Sequence, residues 1–220
     1  MLDRERVDDM FLGNLHQSNV IILLRLFFGA VGVGFAFINE TQYALVSLII
    51  AAIIGIFTYR LGATFETDEA QASFALELDV LADMVVYGLL PSALLVQLTS
   101  QSVVGVFIMA LYLLAVAIRS AHFNRSERFL GELPENAYNG LPLQTSAIVL
   151  PVISLLGYLI DLSIFQYIWG IVMIALAVGY VVTYPVPKLP NKYILPLAGV
   201  GILVVILIIF LGSLITIPTA

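Results

Sequence analysis

The chain has 220 residues, of which 61% are hydrophobic and only 11% are charged, so it has too few polar side chains to cover the surface of a soluble domain. The same composition excludes an intrinsically disordered chain, and the net charge of -6 argues against binding to nucleic acid. Because the chain contains no cysteine, disulfides, thiolate metal sites and cysteine nucleophiles are also excluded. The class that remains is an all-α, polytopic integral membrane protein.

Seven apolar segments are about long enough to cross a bilayer, for which a helix needs roughly 17–25 residues. We expect helices because backbone groups in lipid must be hydrogen-bonded within the segment. The predicted spans, in chain order, are Asn19–Ile38, Tyr43–Arg60, Phe74–Leu98, Val103–Ile118, Leu143–Leu159, Phe165–Tyr184 and Ile194–Ile217. The proline-rich segment 185–190 cannot continue a helix and should end the sixth span. We therefore divide the chain into an N-terminal tail, residues 1–18, and a transmembrane domain, residues 19–220.

The distribution of lysine and arginine predicts the orientation of the chain in the membrane. Among the nine such residues, only Arg25 lies within a span; the others lie in the tail, at the end of the second span, or after the fourth and sixth spans. By the positive-inside rule these regions are cytoplasmic, and so is the N-terminus. Two structures fit the tail itself: a short helix in the membrane interface, or a solvated disordered segment.

Two carboxylates in the third predicted span are the strongest candidates for chemistry. Asp79 and Asp83 are four residues apart and therefore project from one helix face, whereas Glu77 lies about 200° around the helix from Asp79. An ionisable group at membrane depth is costly and is by default functional. Two like charges on one face favour a bound cation or a raised pKa, and oxygen ligands suit Mg²⁺, Mn²⁺ or Ca²⁺. The alternative, a solvated first helical turn, accounts for Glu77 but poorly for Asp83.

A cationic group follows the fourth predicted span, on the same side of the membrane. Arg119 ends the apolar run, and His122 and Arg125 follow it. One interpretation is a phosphate-binding cluster beside the two carboxylates. The other is a set of ordinary anchors at a helix end, which suits Arg125 and Arg128. A lone histidine such as His122 is weak evidence for a metal ligand.

Small residues give the first span a face that suits close helix packing. Glycines stand at positions 29, 32 and 34, and Ala30 lies four residues before Gly34. This face is either a dimer seam or a packing surface within the monomer. An ion transporter built on Asp79 and Asp83 is a further alternative, but the sequence lacks internal repeats and paired interrupted helices.

The segment of residues 73–91, SFALELDVLADMVVYGLLP, resembles the CDP-alcohol phosphatidyltransferase family and is most similar to its phosphatidylserine synthase branch. In Asn19 to Arg25 the chain resembles the family's N-x-x-T-x-x-R, with Ile22 at the threonine position. Further matches follow in the family's order at residues 119–124, 140–142 and 187–192.

The family's signature, D-x2-D-G-x2-A-R-x8-G-x3-D-x3-D, is retained only in its second half. Asp79 and Asp83 match its last two aspartates, and Gly62 matches its first glycine. The remaining conserved positions are held by Thr58, Leu61, Phe65, Glu66 and Ala75. Asp68 and Glu69, in the connection before the third span, are the nearest replacement carboxylates.

The resemblance implies the CDP-alcohol phosphatidyltransferase fold. It also implies transfer of a phosphatidyl or archaetidyl group from a CDP-linked lipid to an alcohol such as serine, with release of CMP. In that reaction Asp79 and Asp83 would be ligands of Mg²⁺ or Mn²⁺, and Asp83 would also be the catalytic base. Gly62, Arg119 and His122 would bind substrate.

The same resemblance implies a homodimer in the cell membrane, with a site that opens to the cytoplasm between the second, third and fourth spans. Because two of the four signature aspartates are absent, we also consider a function without catalysis as the alternative. It is a catalytically degenerate family member that binds lipid or regulates an active homologue.

Overall fold

The computed structural model describes residues 17–62, 69–125, 137–187, 190 and 193–214. Within these residues the chain forms seven helices in the predicted order, which confirms the all-α class. They are α1 (Gln17–Phe37), α2 (Thr41–Gly62), α3 (Glu69–Asp83, Met84–Leu89 and Leu90–Leu98), α4 (Val103–Arg125), α5 (Leu143–Thr145, Ser146–Ser154 and Leu155–Tyr158), α6 (Leu162–Val181) and α7 (Ile194–Leu214). Residues 1–16 of the predicted tail lie outside the described residues, and residues 17 and 18 already belong to α1.

Five of the described helices, α1, α3, α4, α6 and α7, are long and apolar enough to cross a membrane. The apolar stretches of the other two are shorter, Thr41–Phe57 in α2 and Leu143–Tyr158 in α5. Five such helices are compatible with an integral membrane protein. The count of seven membrane spans stays a prediction.

The helices begin and end within a few residues of the predicted bounds, except where polar sequence continues a helix. Helix α3 begins at Glu69 rather than Phe74, and α4 continues to Arg125 rather than ending at Ile118. Glutamate, glutamine, alanine and arginine are strong helix formers, so hydropathy alone underestimates these two helices. Helix α6 ends at Val181, three residues before the predicted Tyr184, because Val182 is already extended on the approach to Pro185.

Contacts between helix ends show that helices that follow one another in the chain alternate in direction. At one end of the bundle, Gln97 Nε2 near the end of α3 donates to Thr41 Oγ1 at the start of α2 over 2.6 Å. The hydroxyl of Tyr158, at the end of α5, donates to the Ile208 carbonyl in α7 over 3.3 Å. The side chains of Gln42 and Tyr158 both lie against Gly212 of α7. The start of α2 and the ends of α3, α5 and α7 therefore meet at this end.

At the opposite end, the connection before α5 meets the connection after α6. Strand β1 (Ala137–Asn139) pairs antiparallel with strand β2 (Pro185–Pro187), with Tyr138 opposite Val186. The amide of Gly140 donates to the Tyr184 carbonyl over 2.7 Å and extends this contact. The hydropathy pattern predicted no strands here. Prolines lack an amide donor, so a strand such as β2 fits only an edge position in a short sheet.

The small-residue face of α1 is used within the monomer at two of its glycines. A Cβ atom at Gly29 would lie 2.6 Å from Val86 Cγ2, and one at Gly32 would lie 2.7 Å from Leu90 Cδ2. Both contacts are with α3. The later glycine of α1 meets the later residue of α3, so α1 and α3 run parallel. Gly34 faces open space and is exposed. The interpretation as monomer packing is therefore confirmed for Gly29 and Gly32.

Candidate functional site

The two aspartates of α3 share one cation, which is the guanidinium of Arg25 in α1. Arg25 Nη1 lies 3.1 Å from Asp79 Oδ1, and Arg25 Nη2 lies 2.6 Å from Asp83 Oδ1. Nη2 also donates to the backbone carbonyl of Asp79 over 3.1 Å. The side chain of Arg25 is 4% exposed, against 38% for Asp79 and 15% for Asp83. The result is a largely buried triad of two negative charges and one positive charge.

The close packing of α1 against α3 places these three side chains level with one another. Gly29 follows Arg25 by about one helical turn, and Val86 follows Asp83 by three residues. Because Gly29 has no Cβ, α1 can approach Val86 closely enough for Arg25 to reach both carboxylates. The ion pairs therefore depend on backbone distance as well as on charge.

Helix α2 and an aromatic ring of α3 enclose the guanidinium. A Cβ atom at Gly55 would lie 3.2 Å from Arg25 Cδ and 3.3 Å from the Tyr87 hydroxyl, so a glycine at this position leaves space for both side chains. The Tyr87 ring is fully buried, and its centroid lies 5.9 Å from Arg25 Cζ. A cation at this distance from the face of an aromatic ring is weakly attracted to it.

The helix changes its winding directly after Asp83. Residues Met84–Leu89 form a π-helical turn, and Pro91 follows it. Proline has no amide hydrogen, so the Tyr87 carbonyl loses the donor that position 91 supplies in a regular α-helix. The hydroxyl of Tyr112 in α4 donates to this carbonyl over 2.8 Å. A buried side chain thus satisfies the backbone at the irregular turn beside the acidic pair.

The structure brings together the carboxylates that the spacing predicted on one face. Asp79 and Asp83 reach the same side chain, and Glu77 is exposed. The repulsion between the two acids predicted a bound cation or a raised pKa, and within the described residues the positive group that contacts both acids is Arg25. The metal-binding roles of Asp79 and Asp83 and the catalytic role of Asp83 stay predictions.

The described residues do not supply the ligands of the divalent cation that the resemblance implies. They contain no group of three or more histidine, aspartate or glutamate side chains that could hold a metal ion. Oδ1 of Asp83 accepts from Arg25, and Oδ1 of Asp79 is ion-paired with it. Mg²⁺ needs near-octahedral oxygen ligands, which two carboxylates paired with a guanidinium do not supply. The described residues therefore do not fit a divalent cation while Arg25 stays in place.

The other signature positions are only partly described. Gly62 is the last residue of α2. The connection that follows it, residues 63–68 with Phe65, Glu66 and Asp68, lies outside the described residues. The predicted role of Gly62 in substrate binding therefore stays a prediction.

Arg119 and His122 lie together at a second, smaller site near the end of α4. They line a cavity of about 80 Å³, and the remaining lining residues are Ile118, Tyr180, Val181, Val182 and Thr183. Arg119 is buried and donates from Nη2 to the Gly140 carbonyl over 3.3 Å, whereas His122 is exposed. The cavity is well below the roughly 300–1,000 Å³ of a typical ligand pocket. The structure thus groups the two predicted substrate-binding residues, while the cation that contacts the acidic pair is Arg25.

Gly140 has a conformation that explains the glycine in the Gly-Leu-Pro segment. Its φ of +90° is disfavoured for residues with a side chain. A Cβ atom here would also lie 2.9 Å from the Val182 carbonyl oxygen. The glycine lets the chain turn between β1 and α5 and present its carbonyl to Arg119.

The sequence singled out Arg25 as a cation within a span without giving it a role in the site, and it did not identify Gly55, Tyr87 and Tyr112 as site residues. A signal was available for Arg25, because a lone cation within a span implies an opposite charge nearby. The contacts of Gly55 and Tyr112 depend on which helices are neighbours, so the sequence gives no local signal for them.

No protein-family model matches the chain, and no curated protein matches it. The resemblance to the CDP-alcohol phosphatidyltransferases therefore rests on the motif segments alone, and the function that we propose rests on those segments and on the geometry of the triad.

Proposed function

We propose that this chain is a catalytically degenerate relative of the CDP-alcohol phosphatidyltransferases that binds membrane lipid or regulates an active homologue. The observation that carries the proposal is that Thr58 and Leu61 stand where the signature has its first two aspartates, so only Asp79 and Asp83 remain at its acidic positions. In this proposal the chain lies in the cell membrane with its N-terminus and the acidic pair on the cytoplasmic side.

The charge arrangement supports this proposal over catalysis. Displacing CMP from a pyrophosphate requires strong neutralisation of developing charge and a positioned base. Here Asp79 and Asp83 are the two carboxylates at the signature's acidic positions, and Arg25 already engages one oxygen of Asp83. Thr58 and Leu61 add no carboxylate to replace the missing aspartates.

The second site supports the lipid-binding part of the proposal. Arg119 ends an apolar run at the bundle end that charge predicts to be cytoplasmic, and His122 lies one turn further along the same helix. An arginine guanidinium is a strong donor to phosphate, and Arg119 lines the cavity at this end of the bundle. The cavity beside it is large enough for a few atoms of a headgroup rather than for a nucleotide.

A second candidate function is the transfer reaction itself, with a CDP-linked lipid and a small alcohol such as serine as substrates. The observation that favours it is the partial exposure of Asp79, whose side chain is 38% accessible. In this candidate function Asp79 and Asp83 would hold Mg²⁺ or Mn²⁺, and Asp83 would also be the catalytic base.

An assay of CMP release separates the two candidates. The purified chain in nanodiscs would receive CDP-diacylglycerol or its archaeal analogue, labelled serine, and Mg²⁺ or Mn²⁺. We expect no CMP release above the level of the Asp83→Asn variant. Release that Asp83→Asn abolishes would establish the transfer reaction instead.

The lipid-binding part has its own measurement. Native mass spectrometry of the detergent-purified chain should show bound anionic phospholipid, and Arg119→Ala should reduce the lipid-bound fraction. Ser163→Ala, which alters an exposed side chain near the start of α6 at the other end of the bundle, is the matched control. Equal lipid retention in both variants would remove Arg119 from the proposed lipid site.

A further inference from the structure

We infer that the π-helical turn of α3 is a positioning device that takes up one extra residue and thereby turns Asp79 and Asp83 out of the seam between α1 and α3. The inference goes beyond the proposed function, because it concerns how the chain keeps these two carboxylates accessible, whether or not it binds lipid. Single π-helical turns inside α-helices are frequent at functional sites.

In a regular helix, the acidic pair would lie in this seam. The two aspartates, Val86 and Leu90 follow one another at spacings of four, three and four residues, which places all of them on one face of an α-helix. Val86 and Leu90 do lie in the seam, against two glycines of α1. A regular helix would therefore direct both carboxylates into the same tightly packed surface.

The observed burial is offset from that pattern by one residue. Ala82, one position before Asp83, is fully buried, whereas the side chain of Asp83 is 15% exposed and that of Asp79 is 38% exposed. The buried face of α3 thus continues through the small side chain of Ala82 rather than through a carboxylate. Arg25 meets both acids where it lies against Gly55, so the acids are turned towards α2.

The π-helical turn between these two parts of α3 accounts for the offset. The amide of Leu90 donates to the carbonyl of Val85, five residues earlier, where an α-helix would use the carbonyl four residues earlier. A turn closed in this way contains about one residue more than an α-helical turn, and one residue corresponds to a rotation of about 100°. The part of α3 before the turn is therefore rotated relative to the part after it.

Packing decides which of the two parts is rotated. The part after the turn, Leu90–Leu98, is buried at every position except Val96. The turn itself is tied to α4, because the Tyr112 hydroxyl donates to the Tyr87 carbonyl over 2.8 Å. Neither can rotate without breaking these contacts. The rotation is taken instead by Glu69–Asp83, which is only half-buried at most of its described positions.

Removal of one residue from the turn tests the offset. Deletion of Met84, a half-buried residue at the start of the turn, should give a folded chain with a regular α3, because the helix no longer has to take up the extra residue. Both parts of α3 should then keep their faces. The matched control is deletion of Val96, a half-buried residue in the regular part. It should prevent folding or strongly lower the unfolding midpoint, since it rotates the whole preceding helix by about 100°.

Cysteine labelling reports the two faces directly, because the chain has no cysteine of its own. With the turn intact, Asp79→Cys should react with a water-soluble methanethiosulfonate reagent in detergent several-fold faster than Ala82→Cys. We expect the same order after deletion of Met84. Asp83→Asn should also lower the unfolding midpoint equally in both backgrounds, because the pair with Arg25 persists. Loss of packing alone would lower the midpoint without changing the labelling order.

Three results would overturn the inference. One is a folded chain without Met84 in which Ala82→Cys reacts as fast as Asp79→Cys or faster, or in which Asp83→Asn no longer lowers the midpoint, since the turn would then take up no extra residue. The others are a chain without Met84 that does not fold, and equal tolerance of the deletions of Met84 and Val96. These measurements involve neither lipid retention nor CMP release, so failure here is distinguishable from failure of the proposed function.

Discussion

At the scale of single residues, the burial of Arg25 makes its ion pairs important for stability. Removing one partner of a buried pair leaves an uncompensated charge and typically costs about 3–5 kcal/mol. We therefore expect Arg25→Ala to lower the free energy of unfolding by about that amount. The measurement is unfolding in detergent by circular dichroism. Its control is Tyr167→Phe, a conservative change at an exposed site near the start of α6.

Asp83 and Asp79 should differ in how much each contributes to the stability of the folded chain. Asp83 is 15% exposed and 2.6 Å from Arg25, whereas Asp79 is 38% exposed and 3.1 Å away. Solvent screens the more exposed pair, so we expect Asp83→Asn to lower the unfolding midpoint clearly more than Asp79→Asn. Equal losses in the same unfolding experiment would mean that exposure does not govern the two pairs.

Residue-level reasoning from sequence found the carboxylates because their chemistry is local. Asp79 and Asp83 are one helical turn apart, so their common face follows from helix geometry alone. Arg25 is 54 and 58 residues away from them in the chain. Its partner could be deduced from charge in an apolar span, but not its double contact, because that depends on the close approach at Gly29.

At the scale of helices, glycine controls how closely α1 packs on α3. An added methyl group at Gly29 would lie 2.6 Å from Val86 Cγ2 and 3.4 Å from the Val86 backbone. Overpacking of this kind typically costs about 1–3 kcal/mol, so we expect Gly29→Ala to lower the unfolding midpoint.

Gly34→Ala, in the same helix, is the matched control for that substitution. Nothing lies within 4 Å of a Cβ atom at Gly34, and alanine is the better helix former by about 0.5–1 kcal/mol. We expect its midpoint to be unchanged or slightly raised in thermal unfolding. A destabilised Gly34→Ala would indicate that this face packs against something else, such as a second copy of the chain.

The π-helical turn of α3 should depend on a hydroxyl from α4. Tyr112→Phe leaves the Tyr87 carbonyl without the side-chain donor that compensates for Pro91. An unsatisfied buried acceptor costs about 1–3 kcal/mol. We expect a lower unfolding midpoint for Tyr112→Phe and no change for Tyr167→Phe, whose side chain is 70% exposed. Identical midpoints would mean that the π-helical turn does not need this donor.

At the scale of the whole molecule, the apolar segments predicted the helices well. A helix that crosses a membrane can be recognised from the length and hydropathy of its segment alone. The two short strands were missed because Ala137–Asn139 and Pro185–Pro187 have no alternating pattern. They pair only because α5 and α6 bring the two connections to one end of the bundle. Contacts of this kind, like those of Arg25, join residues that are far apart in the chain, so the sequence alone did not predict them.

The same arrangement of helix ends bears on whether α2 crosses the membrane. The contact of Gln97 with Thr41 places the end of α3 beside the start of α2, as alternating helices require. If α2 did not cross, the connection after α3 would lie on the cytoplasmic side together with the N-terminus. Given the predicted orientation, the side of the membrane on which the connection after α3 lies decides whether α2 crosses.

Because the chain has no cysteine, introduced cysteines can report this side without background labelling. We expect Val103→Cys, at an exposed position at the start of α4, to react with a membrane-impermeant maleimide in intact cells. Glu40→Cys should react equally, and Thr183→Cys only after permeabilisation, because these two positions have the same side with five or seven crossings. Labelling of Val103→Cys only after permeabilisation would mean that α2 does not cross. Reversed labelling of Glu40→Cys and Thr183→Cys would instead contradict the orientation that the positive charges predict.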